Sequence, residues 1–246
     1  MKKYLSIMLA LLFFTLFWHI FSLQIERPIL PGPATAAEAL VRLASAGRLH
    51  SHLLASLSRV LLALFLCGIP AIALGLAAGR CRRVDYFVSP VVYLLHPLPK
   101  PAFLPIIILF LGLGEASKIF LVAFIIFSQI LVTMRDAAKQ VPPELLESVR
   151  SLGAGKAGLF LHVVVPSVLP AFFTALRISL GTAVAVLFLA ETFASQSGLG
   201  FLIMDAWSRL NYAEMYAGIM TLSLLGLFLF FLTDLLEYLF CPWLRG

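Results

Sequence analysis

The sequence predicts an all-α polytopic membrane protein, a bundle of about six transmembrane helices. Three observations carry this. Of 246 residues, 61% are hydrophobic and 12% charged, and the mean hydropathy is +1.02, more apolar surface than a soluble domain of this size needs. The apolar residues are gathered into runs long enough to cross a bilayer, which takes about 20 residues of helix. The basic residues sit at the ends of those runs, where they act as topology signals. The net charge of +6 therefore does not mark a nucleic-acid surface. Cys67, Cys81 and Cys241 lie far apart with no metal-ligand spacing, so neither a disulfide framework nor a metal site is expected.

Lys2 and Lys3 precede an apolar run from Tyr4 to Leu23. A signal peptide begins this way too, but this run is long enough to span, and Ala34 and Ala36 lie too far downstream to mark cleavage. It is read as an uncleaved first span with its N-terminus inside. The segment from Gln24 to His52 is polar, and Pro28, Pro31 and Pro33 force an extended start. Within it, Thr35 to Ala46 is expected to be helical, with Thr35 as N-cap and Glu38 completing a capping box. His50 and His52 lack a third metal partner and are read as surface or interfacial residues.

The second span runs from Leu53 to Gly79. Its Gly68, Gly75 and Gly79 allow close helix approach in lipid. Arg80, Arg82 and Arg83 follow at once and give the strongest inside signal in the chain. From Val84 to Gly112 the chain is apolar, but Pro97, Pro99, Pro101 and Pro105 forbid an unbroken helix. Backbone groups freed at membrane depth must be buried in protein or line a cavity. His96 and Lys100 lie among these prolines, and an ionisable residue inside a membrane is a functional candidate. The other reading is a kinked scaffold helix whose Lys100 snorkels to an interface. The fourth span, Ile119 to Met134, ends at Arg135 and Lys139.

The stretch from Pro142 to Pro166 is the polar interruption around which the second half is arranged. Pro143 suits a first helical turn, and Glu144 and Glu147 suit the positive end of the helix dipole. Leu145, Val149 and Leu152 recur at helical spacing, and Gly153 is placed for a left-handed C-cap. A helix this short is marginal alone. Its apolar stripe either docks on a water-soluble partner or folds back on its own bundle.

The fifth span, Pro166 to Ala190, holds one charge, Arg177, and Glu191 closes it. Arg177 could attract an anion or bond helix ends. Ser195 to Met215 returns outside with a short amphipathic helix that pairs Asp205 with Arg209 at i,i+4. The sixth span, Tyr216 to Phe240, carries Asp234 and Glu237, and Cys241 to Gly246 forms an inner tail. Six spans with both termini inside satisfy the charge rule, except for Arg27, Arg42 and Arg48 in the first outer loop.

Glu147-Ser148-Val149, then Gly153, then Val163-Val164-Val165-Pro166 resembles the EAA loop of bacterial ABC-importer membrane subunits, with Ser148 and Val149 in place of the two alanines. Pro97 to Pro105, Phe110 to Lys118, Ala175 to Gly181, and Ser197 to Gly200 resemble the nitrate/sulfonate/taurine/bicarbonate branch of those permeases. The resemblance implies an importer-permease bundle formed by residues 1–246 as one transmembrane domain with a coupling loop at 142–166. It implies a multi-pass protein of the bacterial inner membrane, in contact with lipid and paired with a second permease copy. It also implies a cytoplasmic ATP-binding dimer, an extracytoplasmic solute-binding protein, and no nucleic-acid partner. Glu144, Leu145, Glu147, Ser148, Val149, Gly153, Ala154 and Pro166 would couple to the ATPase. His96, Lys100, Arg177 and Glu191 are the candidates for the translocation path.

The solute implied is a small anion, with a pyrimidine or thiamine precursor as the rival. Gly153-Ala-Gly-Lys156-Ala lacks the spacing and the hydroxyl of a phosphate loop, so no cofactor and no ATP hydrolysis are expected in this chain. A stand-alone channel or secondary carrier is the other transport reading. An intramembrane protease would need a nucleophile and base in register, a pattern that the serines and histidines do not show.

Overall fold

The computed structural model describes the backbone of residues 2–25, 29–95, 97–193 and 195–245, and the side chains from 8 to 244 within those ranges. Arg27, Pro28 and His96 lie outside the described residues. Among the described residues the elements are helical throughout: α1 (Lys2–Ile25), α2 (Pro33–Ser45), α3 (Arg48–Arg80), α4 (Arg82–Leu95), a 3₁₀ turn (Lys100–Phe103), α5 (Leu104–Leu111), α6 (Glu115–Lys139), α7 (Pro143–Ser151), α8 (Lys156–Leu159), a π turn (Phe160–Val164), α9 (Val165–Phe193), α10 (Leu199–Ser208), α11 (Tyr212–Phe240) and a final 3₁₀ turn (Pro242–Arg245). Lipid offers no hydrogen bonds, so a spanning chain must satisfy its backbone within itself. By length and composition, 5 of these helices can cross a membrane, or 6 if α4 and the segment Lys100–Leu111 form one broken span.

The chain divides into two compact units. The first comprises Met1–Ser56 and Ser195–Leu224. Here α1 exposes Met8, Leu9, Leu12, Phe13 and Phe14, as a helix with lipid-facing sides does, and Trp18 stacks on Tyr216 at 5.6 Å. α2 starts at Pro33 with Gly32 as N-cap and no side-chain cap. The capping box of Thr35 and Glu38 therefore does not form. Pro33 occupies the first helical position, where its fixed φ favours the helix, and this starts α2 two residues before Thr35. α3 likewise starts at Arg48 rather than Leu53 and takes His50 and His52 into its first turns.

The second unit comprises Leu57–Ala194 and Leu225–Gly246. α6 and α9 pack antiparallel: Gln129 Nε2 donates to Thr182 Oγ1 at 3.3 Å, while Leu121 and Ile125 share a core with Val186 and Ala190. α3 runs parallel to α6. A methyl carbon on Gly75 would lie 2.7 Å from Met134 Cβ, and one on Gly79 would lie 2.5 Å from Ala138 Cβ. The pair forms a Gly-x-x-x-Gly seam, which lets two backbones meet in lipid. A core of Leu104, Ile107, Leu121, Ile125, Val186 and Ala190 joins α5, α6 and α9.

The proline-rich stretch breaks as its spacing requires. α4 and the segment Lys100–Leu111 are bent by 85°. α6 extends beyond the expected Ile119–Met134, starting at Glu115 and ending at Lys139. A second helical piece starts at Lys156 and passes through the π turn. Pro166 has no N–H to return to the His162 carbonyl, and a widened turn accommodates such a break.

Gly79→Leu is expected to separate α3 from α6 and cost about 1–3 kcal/mol by overpacking. Gly68→Ala, whose nearest neighbour is Leu64 at 3.8 Å, should be neutral. Thermal unfolding of the detergent-purified chain measures both; equal transitions for the two variants would refute the seam.

Candidate functional site

The loop at 142–166 folds as an exposed helical lever. Pro143 occupies the first turn of α7, Glu144 lies in that turn and Arg150 in the last, each at the dipole end that favours its charge. Ser148 and Ser151 turn their hydroxyls onto the carbonyls of Glu144 and Ser148, both at 2.8 Å. The helix ends in a Schellman arrangement. Gly153 N donates to Arg150 O at 2.9 Å and Ala154 N to Val149 O at 3.4 Å, with Gly153 at φ 86°. A residue with a Cβ is strained at that φ. No residue of α7 is buried. Leu145 is 49% and Leu152 86% exposed, while Val149 is half-buried. After α8, Val163 and Val164 are buried and Pro166 is half-buried.

The bundle of the second unit carries a charge cluster that sequence reasoning did not assemble, buried at Arg59, Lys118 and Glu191 and 58% exposed at Glu115. Arg59 of α3 is 1% exposed. Its guanidinium forks onto Glu115 of α6, with Nε to Oε2 at 2.5 Å and Nη2 to Oε1 at 2.6 Å. Its Nη1 donates to Glu191 Oε1 of α9 at 2.5 Å. Glu191 is fully buried. Buried Lys118 adds a second cation, 3.6 Å from Glu115. Two cations thus face two carboxylates across three helices, and the planar fork of arginine suits a two-carboxylate grip better than a lysine would. The available signal was that Arg59, Glu115 and Glu191 all lie inside or at the edge of apolar runs, where isolated charge is costly.

A second network lies further along α9. Arg177 bonds Asp234 of α11 at 2.7 Å, pairs with Glu237 one turn on, and sits 5.4 Å from the Phe230 ring centre. A third joins α4 to α6: Asp85 accepts from Arg135 and Lys139, each at 2.6 Å. Lys100 stands half-buried in the 3₁₀ turn after the bend and makes no ion pair among the described residues. The structure therefore does not bring Lys100, Arg177 and Glu191 into one constellation. Buried polar atoms also occur on α6 and α9, where Gln129 Oε1 and Ser179 Oγ lack a hydrogen-bond partner among the described residues.

In the first unit, α3 caps α10 from outside. Gly198 N donates to His52 Nδ1 at 3.2 Å and Leu199 N to Ser56 Oγ at 2.8 Å. Asp205 and Arg209 pair at 2.8 Å and Glu214 joins them at 3.1 Å. The Asp205 and Glu214 carboxylates hold the Arg209 guanidinium above its ordinary pKa. His52 also packs against Phe201. Among the described residues no group of three metal-ligating side chains exists.

Residues 71–246 match the family described as binding-protein-dependent transport system inner membrane component. The chain is 33% identical over 245 residues to the taurine transport system permease protein TauC of Escherichia coli K12, covering 97% of this chain and 89% of that one. It is 32% identical over 215 residues to the putative aliphatic sulfonates transport permease protein SsuC of the same organism, covering 87% and 82%. It is also 32% identical over 215 residues to the riboflavin transport system permease protein RibX of Chloroflexus aurantiacus, covering 87% and 80%.

Arg59→Ala removes the guanidinium that Glu115 and buried Glu191 share, and the expected loss is about 3–5 kcal/mol of stability. Adding Glu191→Ala to Arg59→Ala should recover part of it. Thermal transitions of the purified variants measure the effect; a single variant as stable as wild type would contradict the network.

Proposed function

Because the chain belongs to the family of binding-protein-dependent transport system inner membrane components, we propose that it serves as one permease subunit of an importer for a small anionic solute, driven by ATP hydrolysis in a separate subunit. The observation that carries the reading is α7. It is a short helix with Leu145 and Leu152 exposed and a Gly153 cap, placed in a loop with the EAA spacing. An apolar stripe of this kind asks for a cover, and a soluble ATPase is the partner this family of systems would supply. Glu144, Leu145, Glu147, Ser148, Val149 and Ala154 form the contact, Gly153 fixes the angle of the helix, and Pro166 returns the chain to α9. Closure of the ATPases would press on α7 and tilt α9 and α6, which pack along most of their length.

Residues 1–246 act as a single transmembrane domain in this reading, with 142–166 as its coupling loop. Both termini are cytoplasmic, because Lys2 and Lys3, Arg80, Arg82 and Arg83, Arg135 and Lys139, and Arg150 and Lys156 then face the same side. A second copy completes the path, and an extracytoplasmic binding protein delivers the solute. Among the path candidates, Lys100 is the cation we assign to the solute, together with His96. We assign Arg177 and Glu191 to holding helices, since both are already engaged by opposite charge. The taurine and sulfonate relatives favour a sulfonate-like solute. The riboflavin relative favours a second reading, a heteroaromatic solute, which includes pyrimidine or thiamine precursors.

Gly153→Val and Leu152→Arg should each lower ATP-dependent uptake of taurine in reconstituted vesicles at least tenfold while the chain still inserts. Uptake that continues without the ATPase subunit would identify a secondary carrier and refute the assignment. Lys100→Gln should raise the KM for the anion more than it lowers kcat; an unchanged KM removes Lys100 from the path.

A further inference from the structure

α4 is the most two-sided helix of the second unit. None of its residues is buried, and it opens on a basic run. Arg80, Arg82 and Arg83 are exposed. Neither Arg82 nor Arg83 has an acidic partner among the described residues, although Asp85 lies within one turn. Asp85 is already taken, by Arg135 and Lys139 at 2.6 Å each and by the Ser89 hydroxyl at 2.8 Å. The other carboxylate nearby, Asp136, accepts from Arg135 at 3.0 Å. The basic end of α4 therefore keeps uncompensated positive charge.

A second observation is independent of charge. A slot of about 200 Å³ lies along α4, lined by its Phe87, Val91 and Leu95, by Leu74 of α3, and by Phe127 and Leu131 of α6. Its volume is below the ~300–1,000 Å³ typical of pockets for compact ligands, and its walls are almost wholly hydrocarbon. A space of that size and lining takes a short stretch of hydrocarbon chain. Arg83, Phe87, Val91 and Leu95 follow one another at i,i+4, so the cation and the slot share one face of the helix. Tyr86, 76% exposed, follows the arginines in the first turns of α4, and aromatic rings of this kind favour the membrane interface.

We propose that α4 binds an acidic phospholipid, its phosphate held by Arg82 and Arg83 and one acyl chain lying in the slot beneath them. Lipid hydrocarbon that enters the groove brings a headgroup with it, and the exposed arginines select an anionic one. A soluble acidic partner could meet the arginines but not the slot, and the continuity of the two on one helix face favours the lipid. The proposal needs only that the chain lies in a membrane, not the identity of the solute.

The test uses the full chain in mild detergent, equilibrated with equimolar phosphatidylglycerol and phosphatidylcholine and read by native mass spectrometry. The wild type is expected to retain phosphatidylglycerol at least tenfold over phosphatidylcholine. Arg82→Gln with Arg83→Gln should reduce that preference to under twofold. Val91→Trp, at a position 54% exposed, should fill the slot and lose both lipids while the protein stays monodisperse. Equal retention of the two lipids by wild type would overturn the proposal. So would displacement of the lipid by inorganic phosphate at matched concentration, or crosslinking of Val91→Cys to a second copy in the membrane. The wild-type preference and the phosphate competition need no variant and remain decisive if a variant fails to fold.

Discussion

Charge inside a hydrocarbon-lined bundle must find its opposite, and Arg59 is where this constraint is tightest. It lies 1% exposed between the carboxylates of Glu115 and Glu191. Its position draws the first half of α3, the start of α6 and the end of α9 to one point. The Gly75 and Gly79 seam then sets how closely α3 and α6 run for the rest of their length. Arg177 repeats the same solution between α9 and α11, with Asp234 and Glu237 as its acceptors. The helices of this unit are thus tied by ion pairs at separate levels, with apolar packing between them. Such ties are directional where lipid-like packing is not, which is how a bundle without a hydrophobic driving force between its helices acquires a fixed register.

The interruptions of the helices are each set by one residue type. Pro97, Pro99 and Pro101 separate α4 from α5 and leave Lys100 half-buried at the bend. Pro166 coincides with a π turn at the entry to α9. Gly153 stops α7 in a left-handed turn, with Leu145 and Leu152 exposed. In each case the local chemistry of one residue type, a missing N–H or a missing Cβ, produces the break.

The number and order of the helices were legible because apolar runs and the basic residues at their ends are local properties. The break at the prolines, the cap at Gly153 and the pairing of Asp205 with Arg209 were legible for the same reason, since each is settled within a few residues. The helix starts were less so. Pro33 began α2 ahead of Thr35, and α3 reached back to Arg48 through residues that read as polar loop. The Arg59 cluster was not legible as a unit. Its partners lie 56 and 132 residues away in the chain, and nothing near Arg59 announces them. The buried polar atoms of Gln129 on α6 and Ser179 on α9 escaped for the same reason.

The outside cap on α10 has a bearing on how the chain is made. The first amides of that helix are satisfied by His52 and Ser56, residues that precede them by 146 and 143 positions. Synthesis from the N-terminus places the acceptors in the membrane long before the donors leave the ribosome. The short segment thus meets a ready receptor on arrival, and a chain rearranged so that α10 emerged first would have to wait, with open amides, for its own lid.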